Sequence, residues 1–89
     1  MNIRYSRRAL SQLASMFEYL QGRNRSAAEK VTASIRRTIA RLREMPLLGK
    51  PTDEGDVHVI IEPEYQYRVF YKVKGQEVFV IRILHGRQS

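Results

Sequence analysis

Tyr65-Gln66-Tyr67-Arg68-Val69-Phe70-Tyr71-Lys72-Val73, then Lys74-Gly75-Gln76, then Glu77-Val78-Phe79-Val80-Ile81-Arg82-Ile83-Leu84 is the stretch that decides the fold. Large apolar side chains stand at alternate positions through most of the first run, the repeat of a strand with one buried face. The second run is apolar and β-branched enough to be its partner. Upstream, Val57, Val59 and Ile61 alternate ahead of Glu62-Pro63-Glu64, which predicts a third strand and another tight turn. Strands joined by such short turns pair antiparallel.

A register follows from the turns. With the first turn at 62–64, Ile61 opposes Tyr65, Val59 opposes Tyr67 and Val57 opposes Val69. With a three-residue turn at 74–76, Tyr71 opposes Phe79, Val69 opposes Ile81 and Tyr67 opposes Ile83. One face is then apolar throughout, as a face covered by helices must be. A two-residue Lys74-Gly75 turn would mix the faces. On the other face His58, Arg68 and Arg82 form one row. Like charges opposite each other destabilise a sheet, so the row requires anions, from Glu54, Asp56 or Glu64 or from a ligand. Tyr67 and Tyr71 read as core residues in preference to stacking platforms.

The first half of the chain changes period. Asn2 to Tyr5 is a short first strand, and Ser6 is placed to cap a helix. Leu10, Leu13, Phe17 and Leu20, with Ala9 and Met16, recur at helical spacing, and Gly22 suits the helix end. Ser26 and Glu29 have the spacing of a capping box. Ala28, Val31, Ile35, Ile39 and Leu42 then mark the stripe of a second helix, which Pro46 stops. Lys30, Arg37 and Arg41 lie opposite that stripe, with Arg36 and Arg43 beside it. Two helices joined by about four residues run antiparallel, so residues 7–45 form a hairpin. The expected fold is therefore α+β: an N-terminal strand and an antiparallel two-helix hairpin packed on a twisted antiparallel sheet (β-α-α-β-β-β), in one domain over residues 1–89.

Composition limits what such a domain does. At 89 residues and 43% hydrophobic side chains, it has one compact core and no run near the ~18 apolar residues of a membrane span. The opening Met-Asn-Ile-Arg-Tyr-Ser-Arg-Arg places charge where a secretion signal carries its apolar centre, so a cytoplasmic location without membrane contact is expected. No cysteine is present, which removes disulfides and thiolate chemistry. Only His58 and His85 are available as histidine ligands, so no metal and no cofactor is expected. None of the five glycines (22, 49, 55, 75, 86) builds a phosphate-cradling loop. Sixteen Lys and Arg against nine Asp and Glu give +7, a field that favours anionic partners.

Three segments carry a family resemblance. Arg43 to Pro51 (REMPLLGKP) follows Leu42, so that Leu42, Pro46, Gly49 and Pro51 match an L-x-x-x-P-x-x-G-x-P helix end. Tyr65 to Val73 matches a Y-R-v-x-Y strand, and Val78 to Gln88 (VFVIRILHGRQ) an I-L-H-x-R-Q terminus. In this order, across nearly the whole chain, the sequence resembles the RelE/ParE toxin superfamily, on its ParE-like side.

That resemblance implies a toxin of a type II toxin–antitoxin module, causing growth arrest and plasmid stabilisation. A ParE-like member inhibits DNA gyrase and blocks replication by binding, not by catalysis. A RelE-like member is a ribosome-dependent mRNA endonuclease, which makes ribosome and message the alternative target. Beyond His85 the chain reads Gly86-Arg87-Gln88-Ser89, without the terminal tyrosine of several ribonucleases, which favours gyrase. Were it a ribonuclease, Arg68, Arg82, His58 and His85 are the candidate catalytic residues. For target binding the expectation is Arg68, Arg82, His85 and Arg87. A ParD-like cognate antitoxin with an acidic C-terminal segment is the implied partner. Its expected site is a groove along the hairpin, with Leu13, Phe17, Leu20, Ile35 and Ile39 as apolar edges and Arg36, Arg37, Arg41 and Arg43 at the rim.

Overall fold

The computed structural model describes residues 1–85. In chain order they form β1 (Asn2–Tyr5), α1 (Arg7–Arg23), α2 (Arg25–Ala40), a 3-10 turn (Arg41–Arg43), β2 (Lys50–Pro51), β3 (His58–Glu62), β4 (Tyr67–Lys74) and β5 (Glu77–His85). One sheet runs β1-β5-β4-β3-β2, antiparallel except that β1 lies parallel to β5. The expected β-α-α-β-β-β order is present, with two-residue β2 added inside the Pro/Gly loop. α1 packs on β5 and α2 on β3, so the hairpin covers one face and leaves the outer face bare.

Local chemistry sets the helix ends. Ser6 caps α1 as expected: its Oγ accepts from the Ala9 N–H at 2.9 Å. The hairpin link is a single residue, Asn24, where about four were expected. Its extended backbone (φ −161°) breaks the helix, its N–H donates to the Leu20 carbonyl, and its side chain accepts from the Ala27 N–H. One residue thus closes α1 and opens α2, and the expected Ser26–Glu29 capping box is not used. Ser26 is already helical, and Glu29 pairs instead with Arg25 at 3.4 Å. Gly22 lies inside the last turn of α1 and adopts no left-handed conformation.

The α2 stripe is fully consumed by the core: Ala28, Val31, Ile35, Ile39 and Leu42 are all buried. α1 contributes Ala9 and Leu13, whereas Leu10 is exposed. Opposite them lie Ile60, Val69, Tyr71, Val78, Val80 and Ile83. Each fully buried large aliphatic contributes about 1.5–3 kcal/mol.

The sheet departs from the expected register at both turns. Glu62 pairs with Tyr67 and Ile60 with Val69, so the first turn holds four residues, 63–66. Its cause is the Glu62 side chain, which accepts from the Glu64 and Tyr65 N–H groups at 2.7 and 2.8 Å. The Gln66 N–H closes the turn on the Glu62 carbonyl, with Gln66 left-handed at φ 65°. This odd displacement turns Ile60 and Glu62 toward the helices and Val59 and Ile61 outward.

At the second turn Lys74 pairs with Glu77, leaving the two-residue link Gly75-Gln76, with Gly75 at φ 60°. Val78 and Val80 therefore take the core places expected of Phe79 and Ile81. A bulge then restores parity: Tyr71 pairs with Val80 but Phe70 with Arg82 and Val69 with Ile83. Without the extra Ile81, Arg82 would oppose Val69 and enter the core. The Ile81 carbonyl accepts from the Ser6 hydroxyl at 2.6 Å, so the residue that caps α1 also satisfies the bulge.

Candidate functional site

Register fixes which candidate residues share a face. Arg68 opposes Ile61 and Leu84, and Arg82 opposes Phe70, so both arginines stand on the outer face. His58 opposes Tyr71 and His85 opposes Tyr67, on the helix-covered side. The expected row of His58, Arg68 and Arg82 is not formed. The four-residue turn moves His58 across the sheet, and the arginines become diagonal neighbours.

The outer face mixes cations with apolar side chains. Arg4, Lys72, Lys74 and Lys50 join Arg68 and Arg82 there, around Val59, Ile61, Phe70, Phe79 and Leu84. Ile61 is 52% exposed and stands opposite exposed Arg68. Arg68 is exposed and makes no ion pair among the described residues. Arg82 is different: its side chain is 16% exposed and its guanidinium lies 4.1 Å from the Phe70 ring centroid.

Carboxylates from the loop before β3 reach over this face. Both Glu54 oxygens accept from the Arg82 fork, and Asp56 pairs with Lys72 at 3.6 Å. The Arg82 hydrogen bond, with the fields of Arg82, Arg8 and Lys72, holds the Glu54 carboxyl below its usual range. Of the three carboxylates expected to neutralise the row, Glu54 meets Arg82, whereas Asp56 pairs with Lys72, outside that row.

On the other side a groove of about 610 Å³ runs between α1 and the ends of β4 and β5. Gln12, Met16, Tyr19, Tyr67, Leu84 and His85 shape it. Gln12 accepts from the Ile83 N–H at 2.6 Å, and Arg23 lies over the Tyr19 ring. The His85 ring meets Tyr67 edge-on at 4.9 Å. Burial, and secondarily the Glu62 charge, push the Tyr67 hydroxyl above its ordinary value, so it stays protonated at neutral pH. Of the expected groove edges, Leu13, Ile35 and Ile39 lie in the core and present nothing outward. Phe17 and Leu20 remain half-buried, and Arg36, Arg37, Arg41 and Arg43 are exposed. Arg87 lies outside the described residues.

Several site residues had no sequence signal. Glu62 read as a turn residue, yet it is fully buried and accepts from Ser34 Oγ at 2.7 Å. Gln12 lies on a polar helix flank, and Phe70 and Lys72 were indistinguishable from other outward strand positions.

Among the described residues no helix is long and apolar enough to cross a membrane. The model of the family described as the ParE toxin of the type II toxin–antitoxin system parDE matches residues 3–89. No protein of curated function matches significantly. Among solved structures, the chromosomal ParDE toxin–antitoxin system of P. aeruginosa is similar at TM-score 0.84 and 19% identity, over 96% of this chain and 95% of that one. The intact E. coli RelBE toxin–antitoxin complex is similar at TM-score 0.68 and 19% identity, over 94% of each chain. At such identity the two structures speak for the fold.

Proposed function

Because the chain belongs to the ParE toxin family of type II toxin–antitoxin systems, we propose that it arrests growth by docking on DNA gyrase through its outer sheet face, and that a cognate antitoxin neutralises it. One observation carries the choice of target. General acid–base cleavage of RNA needs a titratable group and phosphate-holding cations at one scissile phosphate. Here His58 and His85 stand on the helix side and Arg68 and Arg82 on the other, with the sheet between them. A cationic, partly apolar face without a histidine suits binding. Arg-rich and aromatic composition at a partly apolar patch is that of a protein interface.

The antitoxin's acidic, amphipathic segment takes the hairpin side. Met16, Tyr19 and Tyr67 in the groove supply the apolar anchorage that Leu13 and Ile35 do not, beside half-buried Phe17 and Leu20. Arg36, Arg37 and Arg41 supply the attracting field.

The second reading, ribosome-dependent mRNA cleavage, rests on the exposed guanidinium of Arg68 in the outer face. Pulse-labelling after induced expression separates the two. Gyrase poisoning stops DNA synthesis first while protein synthesis continues; mRNA cleavage stops protein synthesis first, and that order would refute the gyrase reading.

A further inference from the structure

Arg82 is the most preorganised cation of the outer face, and it is already occupied. Its fork is held by both Glu54 oxygens, its plane rests on Phe70, and Arg8 and Lys72 also act on the same carboxylate. Arg82 is the one cation in contact with this carboxylate among the described residues, while Lys72 pairs with Asp56. Arg82 and Glu54 differ in how they are held. The arginine side chain is 16% exposed and the glutamate 54%, and Glu54 sits on the connection between β2 and β3, at the residue before Gly55 (φ 59°). The arginine is the fixed half of the pair and the carboxylate the half free to leave.

We propose that Glu54 is a resident competitor: it fills the anion site formed by the Arg82 fork, and an acidic side chain of the target protein must displace it for the outer face to dock. This rests on the reading that the outer face is the target face. The occupant is assigned as a carboxylate of a protein because the site already holds one in a fork-to-fork geometry. The surroundings agree: the Phe70 ring is already covered by Arg82, and Val59, Ile61 and Leu84 around it are aliphatic, a setting of an arginine anchor that suits a protein interface. Displacement of a matched internal anion lowers apparent affinity by the fraction of molecules whose site is open, and it rejects partners that bring no carboxylate of their own.

The test uses the full chain and its Glu54→Gln, Glu54→Asp and Arg68→Ala variants, with folding checked by circular dichroism. Two doses are read: the inducer level that halts growth, which is blind to the target's identity, and the concentration that inhibits plasmid supercoiling by purified gyrase. Glu54→Gln is expected to act at about three- to tenfold lower dose in both, the scale of a freed site, and Glu54→Asp to stay near wild type. A folded Glu54→Gln with unchanged or weaker action overturns the proposal and leaves Glu54 a loop tie. Wild-type protein that halts growth without inhibiting gyrase refutes the gyrase reading, and the growth dose alone then judges Glu54. Full action by Arg68→Ala refutes the outer face as the docking surface, and the proposal with it. If Glu54→Gln gains as much for a short DNA duplex in filter binding as for gyrase, the displacing group is a phosphate and the carboxylate assignment is overturned.

Discussion

The Tyr71 hydroxyl accepts from the Gly49 N–H at 2.9 Å and donates to the Pro46 carbonyl at 2.8 Å. A core tyrosine of β4 thereby ties down the loop after the 3-10 turn, and this explains the Pro46-x-x-Gly49 spacing. A Cβ on Gly49 would lie 2.6 Å from the Val59 carbonyl oxygen and 2.7 Å from that hydroxyl, so only glycine allows the approach.

Tyr71→Phe should therefore lose about 1–3 kcal/mol, the cost of orphaned polar groups at a part-buried site. Gly49→Ala should lose about as much through overpacking. Urea unfolding of both variants measures this, and a midpoint unchanged in either would refute the clamp.

Glu62 predicts an ordered series. Its carboxylate accepts from Ser34 Oγ, Glu64 N–H and Tyr65 N–H. Glu62→Gln keeps one acceptor oxygen and should lose about 1–2 kcal/mol; Glu62→Ala strands all three donors and should lose about 3 kcal/mol or more. Equal midpoints for the two variants would show that the carboxylate does not hold the turn.

The Glu54–Arg82 pair has a definite pH sign. Glu54 is held below its ordinary value in the fold, so its stabilisation is fully present above about pH 4.3, the unfolded glutamate value. It fades as pH falls through the lower folded value. The melting temperature of wild type should exceed that of Glu54→Gln at pH 7, and the gap should close in acid below that point. A gap independent of pH would contradict the pairing.

Arg68 and Arg82 should separate function from stability. Exposed Arg68, changed to Ala, should weaken growth arrest while stability stays within about 0.5 kcal/mol. Arg82→Ala should weaken both, because it deserts Glu54 and uncovers Phe70. Growth assays beside thermal melts decide this; full toxicity of Arg68→Ala would remove it from the target face.

The exposed arginines of α2 concern the antitoxin. Arg37→Glu with Arg41→Glu should slow its association, as should raising salt from about 50 to about 500 mM, a roughly threefold contraction of the Debye length. Dissociation should change little, since buried apolar anchors set it. Stopped-flow mixing measures both rates; an unaltered association rate would leave these arginines as a merely solvated face.

The sequence alone determined the α2 stripe from Ala28 to Leu42, the Ser6 cap, the four main strands and the core side of β4, because each depends on periodicity or on a contact a few residues long. Tertiary structure decided the faces of β3 and of the first half of β5, where Ile60, Val78 and Val80 took the core places expected of Val59, Phe79 and Ile81. Strand side chains alternate with period 2, so one residue more or less in a turn inverts a whole strand. That count was set by distant or inward-turned groups: the Glu62 carboxylate held by Ser34 across the core, and the Ser6 hydroxyl on the Ile81 carbonyl 75 residues away. The first of these contacts puts His58 behind the sheet; the second keeps Arg82 on the outer side expected for it, where Glu54 reaches it. No local pattern encodes them, since each partner is an ordinary residue in its own segment and acquires its role only when the chain has folded.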